Sequence, residues 1–225
     1  MKHCVVNFAD SPFLNGQNRL KQSLINVGYL GDVISFNDFS QIGSKHHREI
    51  PYQFKVFAID KVRNMGYDVI LYCDASMYAV KNIMPTINYI NDNGYLLEYC
   101  GFSVAQFSTD LCLSEFNITR DEAEKIPLHS AGFTGLNFNN ETAKSFFDEW
   151  LLRAKEEKSF VGDWNNNNKQ CSQDSRCLGH RHDQTVASII AHKLSMNRIN
   201  PYFMEYDYDN VVTKSETIFK CRGIS

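Results

Sequence analysis

Short apolar runs alternate with helical stripes from the first residues of this chain. Residues 4–8, 33–36 and 69–73 are nearly continuous in hydrophobic side chains, the pattern of strands covered on both faces. Between the first two, a helix predicted over about residues 18–27 puts Leu20, Leu24 and Val27 on one face, and Gly28 stops it. A second helix starts at Pro51, a residue suited to a first helical position, with Phe54, Phe57, Ala58, Val62 and Met65 as its buried stripe and Gly66 at its end. Strands alternating with helices in this order predict an α/β fold with a mostly parallel central sheet flanked by helices.

The second half is less regular. Residues 95–99 and 104–107 have strand character, and 130–138 reads as a loop entering another strand. The strongest helical pattern covers about 141–158, where Ala143, Phe146, Phe147, Trp150, Leu151 and Ala154 form a broad apolar stripe. Residues 159–181 are polar, with asparagines filling 165–168. A loop of that length in a compact domain is functional or disordered. His182-Asp-Gln-Thr185 then opens a helix with Val186, Ile189, Ile190 and Leu194 facing inward. No repeat and no Pro-, Gly- or Ser-rich linker divides the chain, so residues 1–225 are expected to form a single domain.

Composition narrows the class. The chain is 43% hydrophobic and 22% charged, the balance of a soluble globular protein. A net charge of −3 with no basic face or tail argues against a nucleic-acid partner. The apolar runs are too short to span a bilayer, and the N-terminus enters a strand without a signal-like region. Seven scattered cysteines, with Cys4 and Cys73 inside core strands, suit reduced thiols and a cytoplasmic location, free or peripheral to a membrane. Oligomeric state is not legible.

The chemistry concentrates at Asp68-Val-Ile-Leu-Tyr-Cys-Asp-Ala-Ser76. A buried strand ends there in a carboxylate, and the carboxyl ends of strands are where open α/β sheets bind ligands. Asp74 either begins a turn or holds a cation that in turn holds a diphosphate. In a β-α-β unit the helix runs back along the sheet, so the first turn of the Pro51 helix returns to the edge where Asp74 sits. Lys55 is therefore expected near Asp74, its alternative being a solvated surface lysine. The 9–17 loop, with Asp10 and Asn15, opens on the same edge.

These residues resemble a known family. The strand followed by Asp74-Ala-Ser76 and the apolar Met77-Tyr-Ala-Val80 is similar to the Asp-x-Asp region of GT-A nucleotide-sugar glycosyltransferases. Pro51-Tyr-Gln-Phe-Lys-Val-Phe-Ala58 resembles the helix that presents a basic residue to the donor. His129-Ser-Ala-Gly-Phe-Thr-Gly-Leu-Asn137 and His180-Arg-His-Asp-Gln-Thr-Val-Ala-Ser188 resemble the glycine-rich segment and the Asp-Gln helix start of those enzymes. The resemblance spans about residues 1–194. It implies a GT-A-like fold with a Rossmann-like nucleotide-binding half (1–80) and an acceptor and catalytic half (81–225). It implies a nucleotide-diphosphate sugar donor, a glycan or other hydroxyl acceptor, and a hexosyltransferase-like reaction.

Residue by residue, the resemblance implies donor contacts at Phe8, Ala9, Asp10, Lys55, Asp74, Ala75, Ser76 and Arg222. It places His129, Gly132, His182 and Gln184 on the acceptor side. A cation, Mn²⁺ or Mg²⁺, is implied on Asp74 and Ser76. Two departures stand out: Ser76 replaces the second acid, and Phe219-Lys-Cys-Arg-Gly223 offers no histidine ligand, leaving Lys220 and Arg222 to neutralise a diphosphate. Asp183 is the candidate base for the acceptor hydroxyl, or a contact to the donor sugar in a retaining reaction, and its plainer reading is a helix cap. Cys171, Cys177, His180 and His182 depart from the usual spacing of structural zinc sites. The missing acid also leaves room for a non-catalytic sugar- or nucleotide-binding module. A nucleotidyltransferase would carry a glycine-rich phosphate loop after the first strand, which residues 9–16 do not supply.

Overall fold

The computed structural model describes residues 1–200, 203–207 and 214–222. Strands β1 (His3–Phe8), β2 (Asp32–Phe36), β3 (Val69–Cys73), β5 (Tyr95–Ser103) and β6 (Pro127–Asn137) form one sheet in the order β2-β1-β3-β6-β5. β1 pairs in parallel with β2 and β3, while β6 runs antiparallel to both β3 and β5. All strands but β6 thus point the same way. The crossovers are helices α1 (Leu14–Asn26) and α3 (Gln53–Arg63), with a short α2 (Phe39–Ile42) between β2 and α3.

The period of two along each strand sorts side chains onto two cores. Cys4, Val6, Phe8, Ile70 and Tyr72 face α3, α7 (Glu141–Glu156) and α8 (His182–Lys193). Val5, Val69, Leu71 and Cys73 face α1 and α4 (Met84–Asn93). Helix α7 buries the expected stripe, with Trp150 fully enclosed, and Asn140 caps it by accepting the Ala143 N–H at 3.0 Å. A second, three-stranded sheet, β4 (Met77–Ala79), β8 (Phe219–Cys221) and β7 (Met204–Tyr206), folds the C-terminal segment against the turn that follows β3.

Four expectations are corrected. Residues Val104–Phe107 form a 3₁₀ turn, not a strand, with Gln106 Oε1 accepting the Ser103 N–H at 2.9 Å. Helix α3 begins at Gln53, because Tyr52 adopts a left-handed φ of 59° that cannot continue from Pro51. Its buried face is Gln53, Lys55, Val56, Ala58, Ile59 and Val62, so Phe54 and Phe57 are half-buried and Met65 is exposed. Leu194 sits at the exposed end of α8, not in the core.

Candidate active site

Asp74 is the first residue past β3, and its backbone N–H donates to the Gly132 carbonyl on β6 at 2.8 Å. The turn it opens is braced from below. Asn7 on β1 donates to the Cys73 carbonyl at 2.6 Å, and Gln17 on α1 donates to Asn7 Oδ1 at 2.9 Å. Gly16 brings α1 so close that a Cβ there would lie 2.2 Å from the Ala75 carbonyl oxygen. From above, Arg19 donates to the carbonyls of Ser76 and Arg222 at 3.0 and 2.8 Å, while the Arg222 N–H donates to Ser76. The position of Asp74 is therefore set by four separate segments of chain.

Lys55 enters from the first turn of α3 and is only 4% exposed. Its Nζ lies 3.1 Å from Asp74 Oδ2 and 3.3 Å from Asp183 Oδ2. The surface-lysine reading is thereby overturned. Burial alone would lower the lysine pKa, but Asp183 and then Asp74 outweigh it and hold the ammonium form. Asp183 is not the helix cap, since Arg181 holds that position and no side chain caps the helix. Its carboxyl is buried, which pushes its pKa up to about 6 even though Lys55 pulls it down. An acid whose protonation changes near neutral pH, touching a buried cation, is the arrangement expected of a proton-transfer group.

Both functional helices start from strained backbone. Tyr52 (φ 59°) precedes α3, and His182 (φ 44°) opens α8. Their rings stack on each other, centroids 5.5 Å apart. Trp164, from the long polar loop, stacks beside His182 at 6.1 Å, and the Lys55 ammonium lies 4.9 Å from the centre of the Tyr52 ring. Non-glycine residues in this conformation cost energy and persist where the surroundings hold them. Here the two strained turns bring Lys55 and Asp183 together.

Two cavities meet at this point. The first, about 190 Å³, is lined by Phe8, Ala9, Asp10, Phe13, His47, Tyr52, Phe54, Asp74, Ala75 and Ser76. The second, about 140 Å³, shares Tyr52, Asp74 and Ser76 with it and adds Lys55, Ser130, Gly132, Trp164, Asp183, Gln184, Met204, Tyr206 and Cys221. Most of the sequence-selected residues therefore converge on one cleft. Gly132 is there for space: a Cβ would fall 2.3 Å from Asp74 Oδ2.

Three selected residues line neither cavity. His129 is fully buried beneath the cleft, its Nδ1 3.1 Å from Ser188 Oγ on α8, and burial lowers its pKa to about 3. His182 gives its Nδ1 to the Phe160 carbonyl at 2.8 Å and serves through ring stacking. Arg222 contributes backbone, and its side chain is exposed. The zinc reading loses its ligands to backbone carbonyls. Cys171 and Cys177 Sγ rest on the Asp163 and Ser108 carbonyls, and His180 Nε2 meets the Ser159 carbonyl at 3.0 Å.

For a divalent cation, the cleft supplies Asp74, whose side chain is 34% exposed, and the Ser76 hydroxyl, which accepts from Cys221 Sγ at 3.2 Å. Among the described residues no group of three His, Cys, Asp or Glu side chains is placed to hold a metal. This donor set does not fit a resident cation. It fits a hard cation that keeps water and takes most of its oxygens from phosphates.

Reading of the sequence missed Tyr52, Trp164, Tyr206 and Cys221. Tyr52 had a signal, being next to the start of the lysine-bearing helix. Trp164 had another, as a tryptophan in a polar loop. Cys221 had none, because only the pairing of Met77 with Cys221 brings it beside Ser76.

Comparison with known proteins bears on the fold. No family model and no curated protein matches the chain. Solved structures do match. The bifunctional glycosyltransferase WbbM aligns over 99% of the chain at 10% identity and TM-score 0.57, and the chain spans 46% of that protein. Mouse xyloside xylosyltransferase 1 aligns over 99% of the chain and 98% of its own at 8% identity and TM-score 0.54. The galactosyltransferase LgtC, solved with donor and acceptor sugar analogues, aligns over 98% of the chain and 87% of its own at 12% identity and TM-score 0.51. The fold is the GT-A-like fold of glycosyltransferases. No helix among the described residues is long and apolar enough to cross a membrane.

Proposed function

We propose that this chain is a glycosyltransferase that moves a sugar from a nucleotide-diphosphate donor to a hydroxyl acceptor. The observation that carries this reading is the buried Lys55, held between Asp74 and Asp183 where two cavities join. The first cavity, apolar and aromatic with Asp10 at its edge, suits a nucleoside. The Asp74–Ser76 turn, common to both cavities, suits the diphosphate. The second cavity, polar and floored by Lys55 and Asp183, suits the sugar.

Charge counting supports cation assistance. One ammonium against two carboxylates leaves this cluster at −1 when both are ionised, so a diphosphate entering it meets repulsion. A divalent cation held by Asp74 and Ser76 would supply the missing positive charge and stabilise the diphosphate as it leaves. Lys55 holds the two carboxylates apart and in register. Asp183 accepts the proton of the acceptor hydroxyl, a role suited to a carboxyl with a pKa of about 6.

Thermal-shift measurements with UDP-, GDP- and other nucleotide sugars, with and without Mn²⁺, test donor binding. Release of free nucleoside diphosphate on adding acceptors tests turnover. Saturable binding with no release under any acceptor would favour a non-catalytic sugar-nucleotide module, a reading to which the missing acid at Ser76 lends weight. Absence of any nucleotide binding would overturn both.

A further inference from the structure

The chain has two tryptophans, and they have opposite fates. Trp150 is fully buried in the core, whereas Trp164 leaves 52% of its surface open. Tryptophan is highly buried on average and combines a large apolar face with a polar N–H, a pairing suited to binding surfaces. Trp164 is also held in place. The Arg181 guanidinium lies 3.8 Å from the centre of its ring and donates to its carbonyl, while His182 stacks at 6.1 Å and the tilted Tyr52 ring lies at 6.0 Å. It lines the second cavity beside Asp183 and Gln184 and takes no part in the first.

A rim of similar character leads outward from it. Arg181 also sits 4.1 Å over the Phe107 ring, and Phe107 meets Phe102 edge-on at 5.1 Å. Phe102, on β5, is 44% exposed, and Leu178, on the loop that carries Trp164, is 49% exposed. A flat, pre-ordered aromatic next to a carboxylate and a carboxamide suits a pyranose, whose ring C–H groups form an apolar face and whose hydroxyls surround it. A lipid chain would offer no hydrogen bonds to the polar lining of this cavity, Ser130, Asp183 and Gln184. We infer that the acceptor is a glycan, that its terminal sugar packs against Trp164, and that the sugars behind it follow a rim of Arg181 and Phe102, the two joined by the buried Phe107. This rests on the transferase reading.

Tryptophan emission reads the site directly, because Trp150 is shielded and Trp164 is not. The protein is titrated with mono-, di- and tetrasaccharides of glucose, galactose, mannose and N-acetylglucosamine, following emission maximum and acrylamide quenching. The expected result is a blue shift and protection by at least one series, severalfold tighter for the tetrasaccharide than for its monosaccharide. Trp164→Phe should abolish the signal, and Phe102→Ala should remove the length advantage while the monosaccharide response stays. Free UDP and GDP, which match the first cavity alone, are run in parallel by thermal shift. If a nucleotide binds and no saccharide alters Trp164, the inference fails and the transferase reading stands. Transfer to a sugar-free peptide or detergent-dispersed lipid would also overturn the inference. If neither nucleotide nor transfer is detected, the transferase reading itself falls.

Discussion

Lys55 and Asp183 lie 3.3 Å apart with side chains 5% and 3% exposed, each delivered by the first turn of a different helix. Neither would be tolerated alone at that depth, since an unpaired buried charge is expensive. The pair is also asymmetric. Asp74 gives Lys55 a second, more exposed partner, while full burial works against the charged form of Asp183. Lys55 therefore stays charged, and Asp183 is the group poised to take up a proton.

Replacing Lys55 by Met should strip Asp183 of its counter-charge. Breaking a buried ion pair by removing one partner costs about 3–5 kcal/mol. The loss should be smaller at pH 5 than at pH 8, because an Asp183 relieved of its lysine protonates more readily. Urea unfolding of the variant and the parent at both pH values measures this. A loss below about 1 kcal/mol, the scale of a surface pair, would mean the bridge contributes nothing special.

Gly132 should prove as sensitive as the carboxylate it faces. A Cβ there would lie 2.3 Å from Asp74 Oδ2, so Gly132→Ala must push the carboxylate off its position. Cation-dependent stabilisation by a nucleotide sugar should fall in Gly132→Ala as it does in Asp74→Ala. In Asp74→Ala the apo melting temperature should barely move, because that side chain is a third exposed. Normal donor binding by Gly132→Ala would show that Asp74 has slack and is not held by this contact.

The β-α-β-α-β half was readable because each of its elements buries a continuous apolar run or stripe, and topology then forces the start of α3 to the end of β3. That topology alone pairs Lys55 with Asp74. The C-terminal strands were not readable. Met204–Tyr206 and Phe219–Cys221 are three residues long, too short to show a period of two, and they exist through pairing with distant chain. The face of α3 was misjudged because Lys55 itself is buried, so a charged residue occupies the inward stripe where the pattern demands an apolar one. His129 misled for the opposite reason: a polar residue near glycines looks like a site, yet it satisfies Ser188 inside the core.

Gly16 offers a test of how the Asp74 turn is held. Its Cβ position lies 2.2 Å from the Ala75 carbonyl oxygen, backbone against backbone, so no side chain can swing aside to relieve it. Gly16→Ala should cost about 1–3 kcal/mol, the usual penalty of overpacking, despite alanine being the better helix former. Donor binding should weaken with it. A variant that is stabilised instead would show that α1 can slide from the turn freely.

Asp183 carries the sharpest prediction, because two measurements must agree on one number. A base works only when deprotonated, so turnover at saturating donor should rise with pH through about 6 and then level off. Asp183→Asn should lower transfer by about 10²–10⁴ and remove that limb. Stability must mirror it. With a folded-state pKa above the ordinary 3.8, the Asp183 contribution to stability is whole below that value and is lost as pH rises through about 6. The melting temperature of Asp183→Asn relative to the parent should therefore increase from pH 4 upward and level off above about 6, the same pKa that sets the activity limb. If the limb survives in Asp183→Asn, the titrating base is another group. If the limb vanishes but the stability difference stays flat with pH, Asp183 acts on the sugar without changing its protonation.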